Sequence, residues 1–176
     1  MKIGTIVVAL LVNMILIACV HPTKVAQPAE NFAFVFQDIP CGSIPIFVLD
    51  TANNTLIYRE LLPLEDASST IISVHLTDKE LELIYQKAIE IGFFDYPQEF
   101  VVPDDQIIGI HFPASSYQLS MTNGKMTNSV DWLDRDITKP DYKKADELRE
   151  LMILIQDIIR LRPEVQQYGD PKAACA

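Results

Sequence analysis

Hydrophobic and polar residues change period several times along this 176-residue chain, and each change predicts an element. From Asn31 the stretch NFAFVFQ alternates with the period of two that a half-buried strand requires. IFVLD and TLIYREL are rich in β-branched and aromatic residues on either side of TANN, which predicts strand, turn and strand. LPLEDASS reads as loop and TIISVHL as another strand. At Thr77 the period becomes helical. The TDKE stretch is a capping box in which Glu80 reaches back to the Thr77 amide. Leu81, Ile84, Tyr85, Ala88 and Ile89 then share one face, and Gly92 stops the helix. The large residues of FFDYP are expected to plug the core beneath the helix end.

After a proline-bounded loop, PQEFVVPDDQ, come IIGIHF and SYQLSMTNGKMTNSVDW, both strand-like. Alternating residues flank Asn123-Gly124, a pair that accepts the two positive φ values of a type I′ turn, so a hairpin is expected there. LDRDITKPD reads as loop. Residues 142 to 161 form a second amphipathic helix with Ala145, Leu148, Leu151, Met152, Ile155 and Ile159 inward, and Pro163 ends it. Strand runs joined by tight turns predict an α+β fold: a mostly antiparallel sheet of about six strands with two amphipathic helices packed on one face.

The N-terminal pattern is of another kind. Between Ile3 and Ala18 the only strongly polar residue is Asn13, and this run is shorter than the roughly 20 residues that span a bilayer. It has the shape of a secretory h-region. It ends in Leu16-Ile17-Ala18-Cys19, which resembles the lipobox of bacterial lipoprotein precursors. The resemblance implies diacylglyceryl transfer to the Cys19 thiol, cleavage before Cys19, and acylation of the new amine with fatty acids such as palmitate. Two or more acyl chains, at about 0.8 kcal/mol per buried methylene, give stable anchoring. Residues 1–18 are then a signal peptide, 19–30 a lipidated cysteine and Pro-containing tether, 31–169 one α+β domain and 170–176 a tail. Val20 follows the cysteine where an aspartate commonly holds lipoproteins in the inner membrane of enteric bacteria. In a host with two membranes this favours the outer one, facing the periplasm.

Charge and cysteines add to this picture. Loss of the leader with Lys2 takes the formal charge from −10 to −11. Such a surplus of acid argues against nucleic acid and against lying flat on anionic lipid. With Cys19 lipidated, Cys41 and Cys175 remain as disulfide candidates in a compartment that permits bridges. Around Cys41 to Tyr58, CGSIPIFVLD is similar to small secreted or lipoprotein domains of unknown function, with Pro45 and Phe47 in fitting places. It departs where that pattern has a second cysteine and this chain has Ile44.

No spacing points to catalysis. His75 shares a strand face with Ser73 and Thr77 and is expected to face solvent; His111 lies in another strand and His21 on the tether. There is no nucleophile elbow, no Ser-x-x-Lys and no zinc-binding helix motif. Asp131, Asp134 and Asp136, with Asp104 and Asp105, read as a solvated acidic rim, without the glycine and distal glutamate of a calcium loop. No catalytic residue, metal or cofactor is therefore assigned. Two features suit a protein partner: the loop residues Phe100, Val101 and Val102, flanked by acids, and Trp132 at a strand end. Both have a bland alternative, burial over the sheet edge for the loop and a cap on the core for the tryptophan.

The expected function is thus a non-enzymatic envelope lipoprotein that binds another envelope protein. The alternative is an acidic inhibitor or immunity-type module against a basic hydrolase or toxin, and an enzyme acting on the cell wall ranks third.

Overall fold

In the computed structural model, residues 31–40, 44–60, 68–101, 107–109, 115–134, 136–137 and 143–169 are described. Cys19, Cys41, Cys175, His21, His111, Val102, Asp104 and Asp105 lie outside them. The strands are β1 (Phe32–Pro40), β2 (Phe47–Asp50), β3 (Thr55–Glu60), β4 (Ser68–Ser73), β5 (Glu99–Phe100), β6 (Ile107–Gly109), β7 (Ser115–Asn123), β8 (Thr127–Leu133) and β9 (Asp136–Ile137). The helices are α1 (Asp78–Glu90), α2 (Lys143–Arg160) and a short α3 (Pro163–Gln166).

Seven strands form one open sheet in the order β4-β3-β2-β1-β7-β8-β5. Every pairing in it is antiparallel except β5 with β8. The chain is α+β, and its alternation sorts the two sheet faces. Phe32, Phe34 and Phe36, Phe47 and Leu49, Leu56 and Tyr58, Leu119 and Met121, Val130 and Trp132 point to one buried side. The inward stripes of α1 (Ile84, Tyr85, Ala88) and α2 (Ala145, Leu148, Leu151, Met152, Ile155, Ile159) complete this core. The alternate residues, among them Gln37, Ser116, Gln118, Ser120, Ser129 and Asp131, lie on the other face, half-buried or exposed.

Local chemistry sets the ends of the elements. The Thr77 hydroxyl accepts from the Glu80 amide at 3.4 Å, while the Glu80 carboxylate accepts from the Thr77 amide at 2.7 Å, so the capping box is closed. Gly92 takes φ +70°, which a side chain would strain, and α1 ends there. Phe93 and Tyr96 then bury themselves beneath the helix end. Asn128 of β8 fastens this turn, donating from Nδ2 to the carbonyls of Phe93 (2.9 Å) and Tyr96 (3.0 Å). The Tyr96 hydroxyl donates to the Lys144 carbonyl at 2.9 Å and so ties the turn to the start of α2.

Several local expectations change. Residues 107–109 leave the main sheet and pair with Asp136–Ile137, inside a stretch that reads as loop. Glu99–Phe100, also inside a predicted loop, becomes the edge strand β5. Two-residue strands carry too little pattern to show in a sequence. Ile89 is exposed while Ile91, one residue beyond α1, is buried, because the chain turns inward at Gly92. The hairpin between β7 and β8 turns on Gly124-Lys125, with a positive φ at Gly124 alone. Asn123 instead folds its side chain over the turn, its Oδ1 accepting from the Met126 amide at 3.0 Å. One positive φ at the first central residue fits a II′ turn rather than I′. Pro163 does not merely follow the second helix: it opens α3 at the position where a missing N–H costs nothing.

Candidate functional site

Two places on the domain bring unusual side chains together. The first is a groove of about 420 Å³ on the helix-free face. Its walls are three consecutive residues from β5 and the position after it (Glu99, Phe100, Val101), three from β7 (Ser116, Tyr117, Gln118) and three from β8 (Asp131, Trp132, Leu133), with Ile39 of β1. Because side chains alternate, the middle residue of each triplet belongs to the core and the outer two belong to the groove.

The groove divides the candidate partner-binding residues, and two of them follow the burial alternative. Phe100 is only 7 % exposed and Trp132 only 2 %, so neither is an exposed anchor. The Trp132 ring packs on Tyr117 (5.7 Å between centroids), and the Arg149 guanidinium lies 5.6 Å from its centroid on the other element, α2. That guanidinium is held by Asp134 through two bonds of 2.7 and 3.2 Å, and by Asp146 at 2.8 Å. Asp134 is thus engaged in an ion pair, and the acidic rim expected of Asp131, Asp134 and Asp136 does not act as one unit. Val101, by contrast, is 72 % exposed, and Leu133 is exposed beside it.

Polar groups frame these two apolar side chains. Glu99 and Asp131 are register partners on adjacent strands. Both are exposed, and among the described residues neither carboxylate has an ion-pair partner. Gln118 is in turn opposite Asp131 and Gln37 opposite Gln118, so one cross-strand row runs Gln37, Gln118, Asp131, Glu99. Like charges side by side on a sheet repel, and a cationic group placed between them relieves that cost. The arrangement suits an extended segment that carries an apolar side chain and a base.

The second place is buried. Asp38 follows Phe32, Phe34 and Phe36 on the inward parity of β1, a charge where the pattern calls for an apolar residue. Its Oδ2 accepts from Gln156 Nε2 of α2 at 3.2 Å, and its Oδ1 has no hydrogen-bond partner. Burial pushes the carboxyl up to about 6, against the opposing pull of Arg160 and of the Gln156 bond. Tyr117, its register partner, is raised in turn by burial and by the Asp38 charge. On the far side of Tyr117 the Trp132 indole N–H also lacks a partner. The cavity beside Asp38, bounded by Phe47, Tyr58, Gln156, Arg160, Val165 and Gly169, measures about 20 Å³. One water fits it; a sugar or a peptide does not. The raised acidity constant therefore bears on folding, and the cavity offers no room for a substrate.

The alternating aromatic run of β1 held the signal for Asp38, but only in the parity of one residue, which sequence reasoning passed over. Leu133 and Glu99 carried no such signal, since their neighbours across strands are set by pairing. His75 is exposed, as the alternation predicts. Among the described residues no helix is long and apolar enough to cross a membrane. No family model and no curated protein matches this chain.

Proposed function

We propose that this chain is a lipid-anchored protein of the bacterial cell envelope, held through Cys19, whose helix-free sheet face binds another envelope protein. The anchor rests on the lipobox-like Leu16-Ile17-Ala18-Cys19 at the end of the apolar run. The binding role rests chiefly on one observation: exposed Val101 and Leu133 sit in a groove beside the register partners Glu99 and Asp131, which have no ion-pair partner among the described residues. Apolar contact supplies affinity there, and the carboxylates supply orientation and rate of encounter.

The anchor has a direct check. Cys19→Ala is expected to abolish incorporation of labelled fatty acid and to leave the precursor uncut. Normal processing of that variant would remove the lipoprotein reading.

For the groove, a photoreactive side chain at position 118, which lines it together with Val101 and Leu133, should yield one discrete adduct from the full-length protein in intact cells. Val101→Asp and Leu133→Asp should each reduce recovery of that partner about tenfold or more, in line with the loss of about 1.4 kcal/mol or more per apolar contact. Both side chains are exposed, so thermal stability should stay within about 0.5 kcal/mol of the parent. An undiminished adduct in both variants would place the binding surface elsewhere.

The acidic-inhibitor reading draws on the same carboxylate pair, and salt separates the two. Steering by Glu99 and Asp131 towards a basic hydrolase or toxin would make the association rate fall steeply between about 50 and 300 mM salt. Assembly with an envelope protein through Val101 and Leu133 should depend on it weakly.

A further inference from the structure

The two edges of the sheet are finished differently. At one end β5 is two residues long and carries Glu99, and a short charged strand is a common protection against unwanted pairing. At the other end β4 runs for six residues, Ser68-Ser69-Thr70-Ile71-Ile72-Ser73, without a charge, a proline or a break in register. Its Ile71 side chain is 71 % exposed.

Hydrogen-bond parity defines what this edge offers. The Arg59 amide donates to Ile46 and the Val74 amide to Asn54. Odd residues of β3 therefore bond to β2, and even residues of β3 bond to the even residues of β4. The backbone N–H and C=O groups of Ser69, Ile71 and Ser73 are left pointing away from the sheet. Their side chains share the helix-free face, where Ile71, Ile57 and Val48 form an apolar row in cross-strand register.

We infer that β4 pairs with β4 of a second copy of this chain, antiparallel about a two-fold axis through Ile71. An axis through Ile71 pairs all three of these residues among themselves, whereas an axis through Thr70 or Ile72 pairs Ile71 only with Ser69 or only with Ser73 and leaves the third without a partner inside the strand. Ile71 then exchanges both backbone bonds with Ile71 of the second copy, and Ser69 faces Ser73 on either side. The apolar row doubles in length across the axis, and no charged residue of the strand meets another. Pairing of this length buries less than the roughly 1,200 Å² of a standard interface, so the dimer is weak and forms only at high protein concentration. The β5 edge and its groove lie at the opposite end of the sheet and stay free, one in each copy. This dimer stands or falls independently of what the groove binds.

The chain carries a net charge of −10, so the two copies repel at long range and added salt should tighten the dimer. Full-length protein in mild detergent is expected to sediment with concentration-dependent mass, rising towards two chains at a few hundred micromolar. Ile71→Lys should return it to one chain per particle with its melting temperature unchanged, since the side chain is exposed. Cysteine substitution reads the register. In this pairing two Ile71 Cα atoms are about 5.5 Å apart, within disulfide reach. Two Ser73 Cα atoms are about 14 Å apart, out of reach. Oxidation should therefore cross-link Ile71→Cys above the background of the parent chain. A mixture of Ser69→Cys and Ser73→Cys should cross-link as well, and Ser73→Cys alone should not. A parent chain that stays monomeric at about 300 μM, with no link through position 71, overturns the inference. A link through position 73 alone overturns it equally, since that register is a different interface.

Discussion

Replacing Trp132 by alanine is expected to cost about 3–5 kcal/mol, the range for removing a large aromatic from a packed interior. The ring is among the largest fully buried side chains. It packs against Tyr117 at 5.7 Å between centroids, and the Arg149 guanidinium lies 5.6 Å from its ring centroid. That guanidinium is in turn held by the Asp134 carboxylate, so the alanine variant leaves a void and loosens the ion pair that fastens α2 to the end of β8. Tm should fall on the order of 10 °C for a domain of this size. Trp132→Phe should cost about 1–2 kcal/mol, because the lost area is partly offset by removal of an indole N–H that has no acceptor. A urea titration of the three proteins measures this. If the alanine variant keeps the parent midpoint and only partner binding is lost, Trp132 is an anchor for the partner and its packing role is wrong.

Asp38→Asn should have the opposite sign. In the folded chain the Asp38 carboxyl titrates near 6, raised by burial from its ordinary 3.8. Below about pH 4 both folded and unfolded chains hold this proton, and the group leaves stability unchanged. Between those two values the unfolded chain has released the proton while the folded chain keeps it, so each upward step in pH favours unfolding. Above 6 a constant penalty remains, on the order of 2–3 kcal/mol for a shift of this size. Asparagine has no charge to bury, so the variant should be the more stable protein at pH 8 by about that amount. At pH 4 the two should be nearly equal.

The groups facing Asp38 oppose this sign without reversing it. Arg160 and Gln156 from α2 favour the charged form, but burial outweighs them. Tyr117 on β7 is neutral throughout this range, its own titration being pushed up by the same burial. Other carboxylates titrate too, with opposite slope where they are salt-bridged, as Glu150 is with Lys87. The informative quantity is therefore the difference between the two proteins, followed by chemical denaturation from pH 4 to 8. A flat difference would mean that Asp38 is not desolvated beneath α2.

A weakly dimeric protein with one groove at each outer end would bind a repeated partner at two points. The second contact then becomes intramolecular, and occupancy rises without any new interface. The proposed anchor at Cys19 would confine the protein to two dimensions and act in the same direction.

The sequence by itself determined the elements whose signals are local and repeated. The capping box at Thr77, the stop at Gly92 and the inward stripe of α2 each depend on residues within a few positions of one another, and all three stand as expected. The alternation of Phe32, Phe34 and Phe36 and of Leu119 and Met121 likewise announced strands buried on one face, and with them the α+β class. Only the tertiary structure decided which distant strands became neighbours. Whether Glu99 stands beside Asp131, and whether β4 is an edge, depend on the strand order, and no local pattern encodes a pairing between residues tens of positions apart. For the same reason Trp132 and Phe100, apolar and flanked by acids in the sequence, could be read as exposed anchors until α2 and the parallel pairing of β5 covered them. Periodicity assigns a side chain to a face. What lies opposite that face is settled by packing the whole chain.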